Sequence, residues 1–167
     1  MSDSARRMYQ EAVDRLHDAT ILGRSFDARS DSQALLNILA FEVLLKCALV
    51  LCGQDPKKSH AYTKLWRGLP GHAQKEIMSV AQDRMPGHAD LSNLDSLLVW
   101  YQFVFERARY HYELYEGYSL KEQHELGRLW EELGAPTKEA VVQYHPNELT
   151  CLTDGLRTYI EKRLSNP

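Results

Sequence analysis

The apolar residues of this chain recur mainly at three- and four-residue steps, the period of helices. Ala5, Met8, Ala12, Leu16 and Ala19 predict an amphipathic helix from about Ser4 to Leu22, closed by Gly23. Its alanines stand seven residues apart, a spacing that lets a second helix approach closely. RSFDARSDS then makes a connection, with Asp31 or Ser32 as the N-cap of a helix that runs to Cys52 and stops at Gly53. HAYTKLWRG, His60 to Gly68, reads as a short helix between Pro56 and Pro70, with His60 at its start. Gly71 to Met85 carries a weaker stripe of Ala73, Ile77, Val80 and Ala81, and PGHAD follows as a turn.

Asp90 or Ser92 caps a long central helix that includes VWYQFVFERARYHYELYE, Val99 to Glu116. Trp100, Tyr101, Phe103, Phe105, Tyr110, Tyr112 and Tyr115 fall on nearly every side of it, so neighbouring helices or a second subunit are expected to cover it. At about 100° per residue, Leu94, Leu98, Tyr101, Phe105, Ala108 and Tyr112 form its core stripe. Phe103 and Tyr110 lie opposite, as a candidate interface between copies. Ser119 and Glu122 fit a capping box that opens a helix to Leu133, which Gly134 and Pro136 end. TKEAVVQY reads as a helical turn in preference to an edge strand. Asn147 caps a last helix with Leu149, Leu152, Leu156, Tyr159, Ile160 and Leu164 along one side.

The sum is an all-α chain, one bundle of about six or seven helices. Its 167 residues suit a single domain, with a core over 4–116 and C-terminal helices over 119–165. Hydrophobic residues at 44% and charged residues at 26% are the composition of a globular protein, not a disordered one. A formal charge of -3 argues against wholesale electrostatic capture of nucleic acid and leaves room for a local basic site. Cys47, Cys52 and Cys151 form no CxxC pair and read as free thiols in a reducing compartment. The first sixteen residues show no apolar signal core. The membrane-like run Ala34 to Cys52 has Glu42 and Lys46 at its centre, each costing roughly 2.5–3.5 kcal/mol on insertion. A buried core helix in a cytoplasmic protein is therefore expected, with no membrane partner.

Familiar catalytic signatures are missing. There is no phosphate-binding G-x-x-x-x-G-K-[ST] loop, no dinucleotide G-x-G-x-x-G after a strand and no G-x-S-x-G elbow. HELGR, from His124, lacks the second histidine of a zinc-protease helix. The seven histidines are scattered, and neither a metal site nor a cofactor is expected. What remains is charge on apolar helices. Glu42 and Lys46 form an i,i+4 pair among Phe41, Val43, Leu44, Leu45 and Cys47, which reads either as a structural ion pair or as part of a site. Arg109 and Glu113 flank the core stripe of the central helix, and Arg107 with His111 lies on another side near Trp100 and Val104. Arg109 could grip a phosphate through two N–H groups while Glu113 orients it or moves a proton. Tyr110 and Tyr112 could stack bases or donate hydroxyls, and the alternative for the Arg109–Glu113 pair is an ion pair that fixes packing.

AFEVLLKCALVLCG, then SHAYTKLW, then FERARYHYE together resemble the HEPN superfamily. That resemblance implies an all-α bundle, a homodimer with a polar site near its two-fold axis, and metal-independent RNA cleavage in toxin–antitoxin, phage-defence or RNA-processing systems. It also implies roles for Glu42, Lys46 and His60, which match recurring polar positions of the family. RNase members carry an arginine followed after four to six residues by a histidine. Here only three residues separate Arg107 from His111, and R-Y-x-Y-E, Arg109 to Glu113, stands as a variant. The expected activity is thus binding or cleavage of RNA or a nucleotide. Arg109, Glu113, His60 and His111 are the catalytic candidates, and Glu42, Lys46, Tyr110 and Tyr112 the binding ones. The alternative is a non-catalytic module for dimerisation or for a partner such as an antitoxin.

Overall fold

Three alanines set the first contact of the bundle. In the computed structural model, which describes residues 3–25, 30–56, 58–107, 111–136, 140 and 142–165, helix α1 spans Asp3–Ser25. Ala5, Ala12 and Ala19 are its buried residues, and that small-residue face lies against α2 (Asp31–Leu51). The approach is close enough for the buried Cys47 thiol to reach the carbonyl of Ala5 at 3.3 Å. Burial pushes that thiol up to about 11, so it behaves as a small apolar group.

Helix α2 is the hub. Ser30, one residue before the expected caps, accepts a hydrogen bond from the Gln33 amide at 3.4 Å and starts it. Gly53, at φ +72°, carries the chain away from its far end, a left-handed turn that other residues rarely adopt. Between them Ile38, Ala40, Phe41, Leu44, Leu45, Cys47 and Ala48 are fully buried. They face α1, α8, α3 and α5 in turn, which is why α2 is apolar all round. Each large side chain buried this way contributes about 2 kcal/mol of transfer free energy. α2 is long and apolar enough to cross a membrane, and here it runs through the middle of the bundle.

The remaining helices are α3 (Tyr62–Gly68), α4 (Gly71–Arg84), α5 (Leu94–Glu106), α6 (His111–Leu114), α7 (Leu120–Glu132) and α8 (Pro146–Ser165). The chain is all-α, with eight helices and no strand among the described residues. Helix α8 packs on α4 and α2. Gly155 makes this possible: a Cβ there would stand 2.5 Å from the Ile77 carbonyl oxygen of α4. Glu76 of α4 receives Lys162 and Arg163 of α8, each at 2.9 Å, and Arg84 meets Asp154 at 2.5 Å. His60, Ala140 and Val142–Tyr144 are not in helices. α3 starts two residues after His60, and Ala140 with Val142–Tyr144 forms neither a helical turn nor a strand. Thr137, Lys138, Glu139 and Val141 lie outside the described residues.

The long central helix expected over Val99–Glu116 is shorter. Asn93, not Asp90 or Ser92, caps α5 by accepting from the Ser96 amide at 3.2 Å, and α5 ends at Glu106. Its buried face is Leu97, Leu98, Tyr101 and Val104, with the Tyr101 hydroxyl donating to the His145 carbonyl at 2.9 Å. That face is what holds α5 down, and continuing its period past Val104 leads to Tyr112. Tyr112 is 74% exposed, so it is not part of the core stripe as expected. Without burial, the tyrosine- and histidine-rich stretch has only middling helix propensity. A four-residue helix, α6, is what the described part of it forms.

Helix α7 is the outlier. Its capping box is complete, with the Ser119 hydroxyl accepting from the Glu122 amide and the Glu122 carboxylate accepting from Ser119. Yet it buries no residue, and Leu126, Leu129 and Leu133 stay exposed along one edge.

Candidate functional site

One charged side chain of the core stands out. Glu42, midway along α2, is 3% exposed. Its carboxylate accepts from Lys46 Nζ at 2.7 Å one turn later on the same helix. It also accepts from His60 Nδ1, at 3.0 Å to Oε1 and 2.9 Å to Oε2. His60 is brought there by the connection that leaves α2 at Gly53 and re-enters the bundle at α3. Its ring leans on Phe105 of α5, with centroids 4.9 Å apart.

Two opposing effects act on the Glu42 carboxyl. Burial raises its pKa, and the hydrogen bonds from Lys46 and His60 together with the adjacent Tyr62 hydroxyl outweigh that, so it is held below the usual carboxylate range. Glu42 is therefore an acceptor on both oxygens, and the His60 nitrogen that faces it carries the proton. The other nitrogen, Nε2, is left as the basic end of a ring whose side chain is 49% exposed. Lys46 is less open, at 17%, and puts a positive charge at the edge of the same site. A histidine oriented by a buried carboxylate, with a cation beside it, can take or give a proton without a metal.

Of the residues expected from sequence, the structure unites Glu42, Lys46 and His60. Arg109 and Tyr110 lie outside the described residues, as does the side chain of His111. Glu113 is exposed on α6, where it accepts a hydrogen bond from the Tyr112 hydroxyl at 3.2 Å.

One residue not singled out by sequence sits at the site. Tyr62, on the first turn of α3, is fully buried, its ring edge-on to Phe41 at 5.9 Å. Its hydroxyl faces Glu42, while the separation or angle falls short of a formed hydrogen bond and the hydroxyl has no other partner. Burial first, then the charges of Glu42 and Glu106, push its ionisation far upward. Glu106, at the end of α5, accepts from Gln102 at 3.2 Å. The signal in the sequence was the H-x-Y spacing of His60 and Tyr62, which puts both at the entrance to α3.

Two other polar features do not make a site. An open depression of about 540 Å³ on α1 is lined by Arg7, Gln10, Glu11, Asp14, Arg15 and Asp18 with Leu36. Within it Arg15 pairs with Glu11 and Gln10 donates to Asp14, as on an ordinary solvated helix face. Among the described residues, no group of three or more His, Cys, Asp or Glu is placed to hold a metal ion. No protein-family model, curated protein or solved structure matches the chain.

Proposed function

We propose that the protein is a HEPN-like, metal-independent ribonuclease whose working pair is His60 and Glu42. The observation that carries this is the His60 Nδ1–Glu42 contact at 2.9 Å, made to a buried carboxylate by a ring that is half open to solvent. In the reaction, His60 Nε2 takes the proton of a ribose 2′-hydroxyl. The 2′ oxygen bonds to phosphorus, the bond from phosphorus to the 5′ oxygen breaks, and a proton from a second group completes the leaving hydroxyl. Lys46 and the expected Arg109 supply positive charge to the phosphate. His111 is the candidate for the second proton. The resemblance described above supports RNA as substrate and a toxin–antitoxin or phage-defence setting.

The test is incubation of the protein with RNA in excess chelator, followed by a gel. Cleavage to cyclic-phosphate ends is expected, reduced about 10²–10⁴-fold in His60→Ala. Intact RNA, or cleavage unchanged in His60→Ala, sinks the assignment. Arg109→Ala and Glu113→Gln locate the chemistry further. If they abolish cleavage while His60→Ala does not, the active groups lie at R-Y-x-Y-E instead.

A second reading is a non-catalytic dimerisation or partner-binding module. The exposed leucine edge of α7 favours it, since a thirteen-residue amphipathic helix that buries nothing is marginal by itself. RNA binding without cleavage, or a dimer by light scattering that Leu126→Ser and Leu129→Ser dissociate, supports this reading.

A further inference from the structure

The Tyr62 hydroxyl is an unexplained polar atom of the core among the described residues. It is fully buried and faces Glu42 without a well-formed hydrogen bond. Such a hydroxyl costs about 1–3 kcal/mol relative to a satisfied one, and buried polar groups are paired in the great majority of cases. Its ring cannot swing to another partner, because Phe41 holds one side at 5.9 Å and Phe105 stands 6.5 Å away. The hydroxyl hydrogen can still rotate. The phenol is also kept in its neutral, donating form by burial and by the charges of Glu42 and Glu106.

Glu42 has donors of different mobility. Lys46 lies on its own helix, one turn along, and holds Oε1. His60 lies in a connection, is half exposed, and is the only donor bonded to Oε2 among the described residues. Whenever this half-exposed ring turns out to solvent, the buried carboxylate loses a donor.

We infer that Tyr62 is the positioning residue that takes over Glu42 Oε2 when His60 moves out. The site then has two states of one carboxylate: bonded to His60, as in this structure, or bonded to the phenol. In both, the charge stays on Glu42 and its oxygens stay aimed at the place His60 returns to. The groups that face this exchange are Lys46 from α2, His60 from the connection, Tyr62 from α3 and, on the phenol side, Glu106 from α5.

The inference deepens the reading of His60 and Glu42 as the working pair, and its test does not depend on catalysis. The Glu42 carboxyl carbon, identified by its loss in Glu42→Gln, is titrated by NMR in four proteins: wild type, Tyr62→Phe, His60→Ala and the double variant. Tyr62→Phe keeps the ring and removes only the hydroxyl. With His60 present, it is expected to move the Glu42 midpoint little. In the His60→Ala background it is expected to raise that midpoint by about one unit, because Lys46 is then the only donor left. Melting is expected to follow, the double variant falling roughly 3 °C beyond the sum of the single ones. A double variant that fails to fold while both single variants fold is the same non-additivity in its extreme form. Equal Tyr62→Phe effects in the two backgrounds, or none in either, overturn the inference. Failure to cleave RNA overturns only the proposed function and leaves this titration standing.

Discussion

Helices α2 and α7 each carry an acid–base pair four residues apart, and the two contacts are nearly the same length. Lys46 and Glu42 meet at 2.7 Å, Arg128 and Glu132 at 2.6 Å. The surroundings are opposite. Glu42 is sealed in the core, while both partners on α7 are more than half exposed. In water the Coulomb attraction of such a pair is screened and nearly cancelled by the cost of ordering two long side chains. In the core the carboxylate has already lost its hydration, so every donor around it becomes necessary. Distance therefore says little about what an ion pair does. Burial, and the number of donors burial makes obligatory, say most of it.

The largest effect expected is on the buried side. Glu42→Ala should lower stability by about 3 kcal/mol, since it leaves Lys46 and His60 facing an apolar cavity from which both must turn to water. Urea unfolding measures this. The comparison breaks if the loss is no larger than that of an exposed pair.

Gly155→Ala probes the same packed region without touching charge. Alanine normally favours a helix over glycine by about 1 kcal/mol. Here the added methyl meets the Ile77 carbonyl oxygen at 2.5 Å, and a backbone atom cannot swing aside. A net loss of about 2 kcal/mol is expected in the same urea series.

Glu76 is an intermediate case, partly exposed between α4 and α8. Hydrogen bonds from Arg163, then Lys162, hold its carboxyl at about 2, against an ordinary value of 4.5. Its contribution is complete above pH 4.5 and is lost as the pH falls through that window towards 2. Solvent screening limits that contribution to about 1 kcal/mol. Glu76→Gln should therefore be less stable than wild type at pH 7, with the two curves converging in acid. A difference that persists at pH 2 would mean that packing rather than charge is responsible. Smallest of all, Arg128→Ala should cost about 0.3 kcal/mol and be insensitive to everything but salt.

The helical period made the fold readable, because amphipathic stripes such as Ala5–Ala12–Ala19 and Leu149–Leu152–Leu156 declare their own faces. The places where the reading failed are those where period and burial part company. VWYQFVFERARYHYELYE has apolar residues at every angle, so the pattern could not say where tertiary contact would cease, and α5 ends at Glu106. The i,i+4 rule likewise picked out Glu42 with Lys46 and Arg109 with Glu113 equally well, since both are local spacings. What separates them is a contact between residues eighteen apart, His60 to Glu42. Tyr62 was invisible for a related reason: an aromatic at a helix start reads as core, and its hydroxyl gains meaning only from the carboxylate it meets.

The position of α2 has a consequence for how the chain comes together. Part of its cover is α8, about a hundred residues later in the chain. During synthesis, an apolar rod of twenty-one residues waits with one side open until α8 arrives. Nascent chains that stop short of Pro146 thus leave this apolar face of α2 uncovered. The arrival of α8 is the vulnerable moment in its folding.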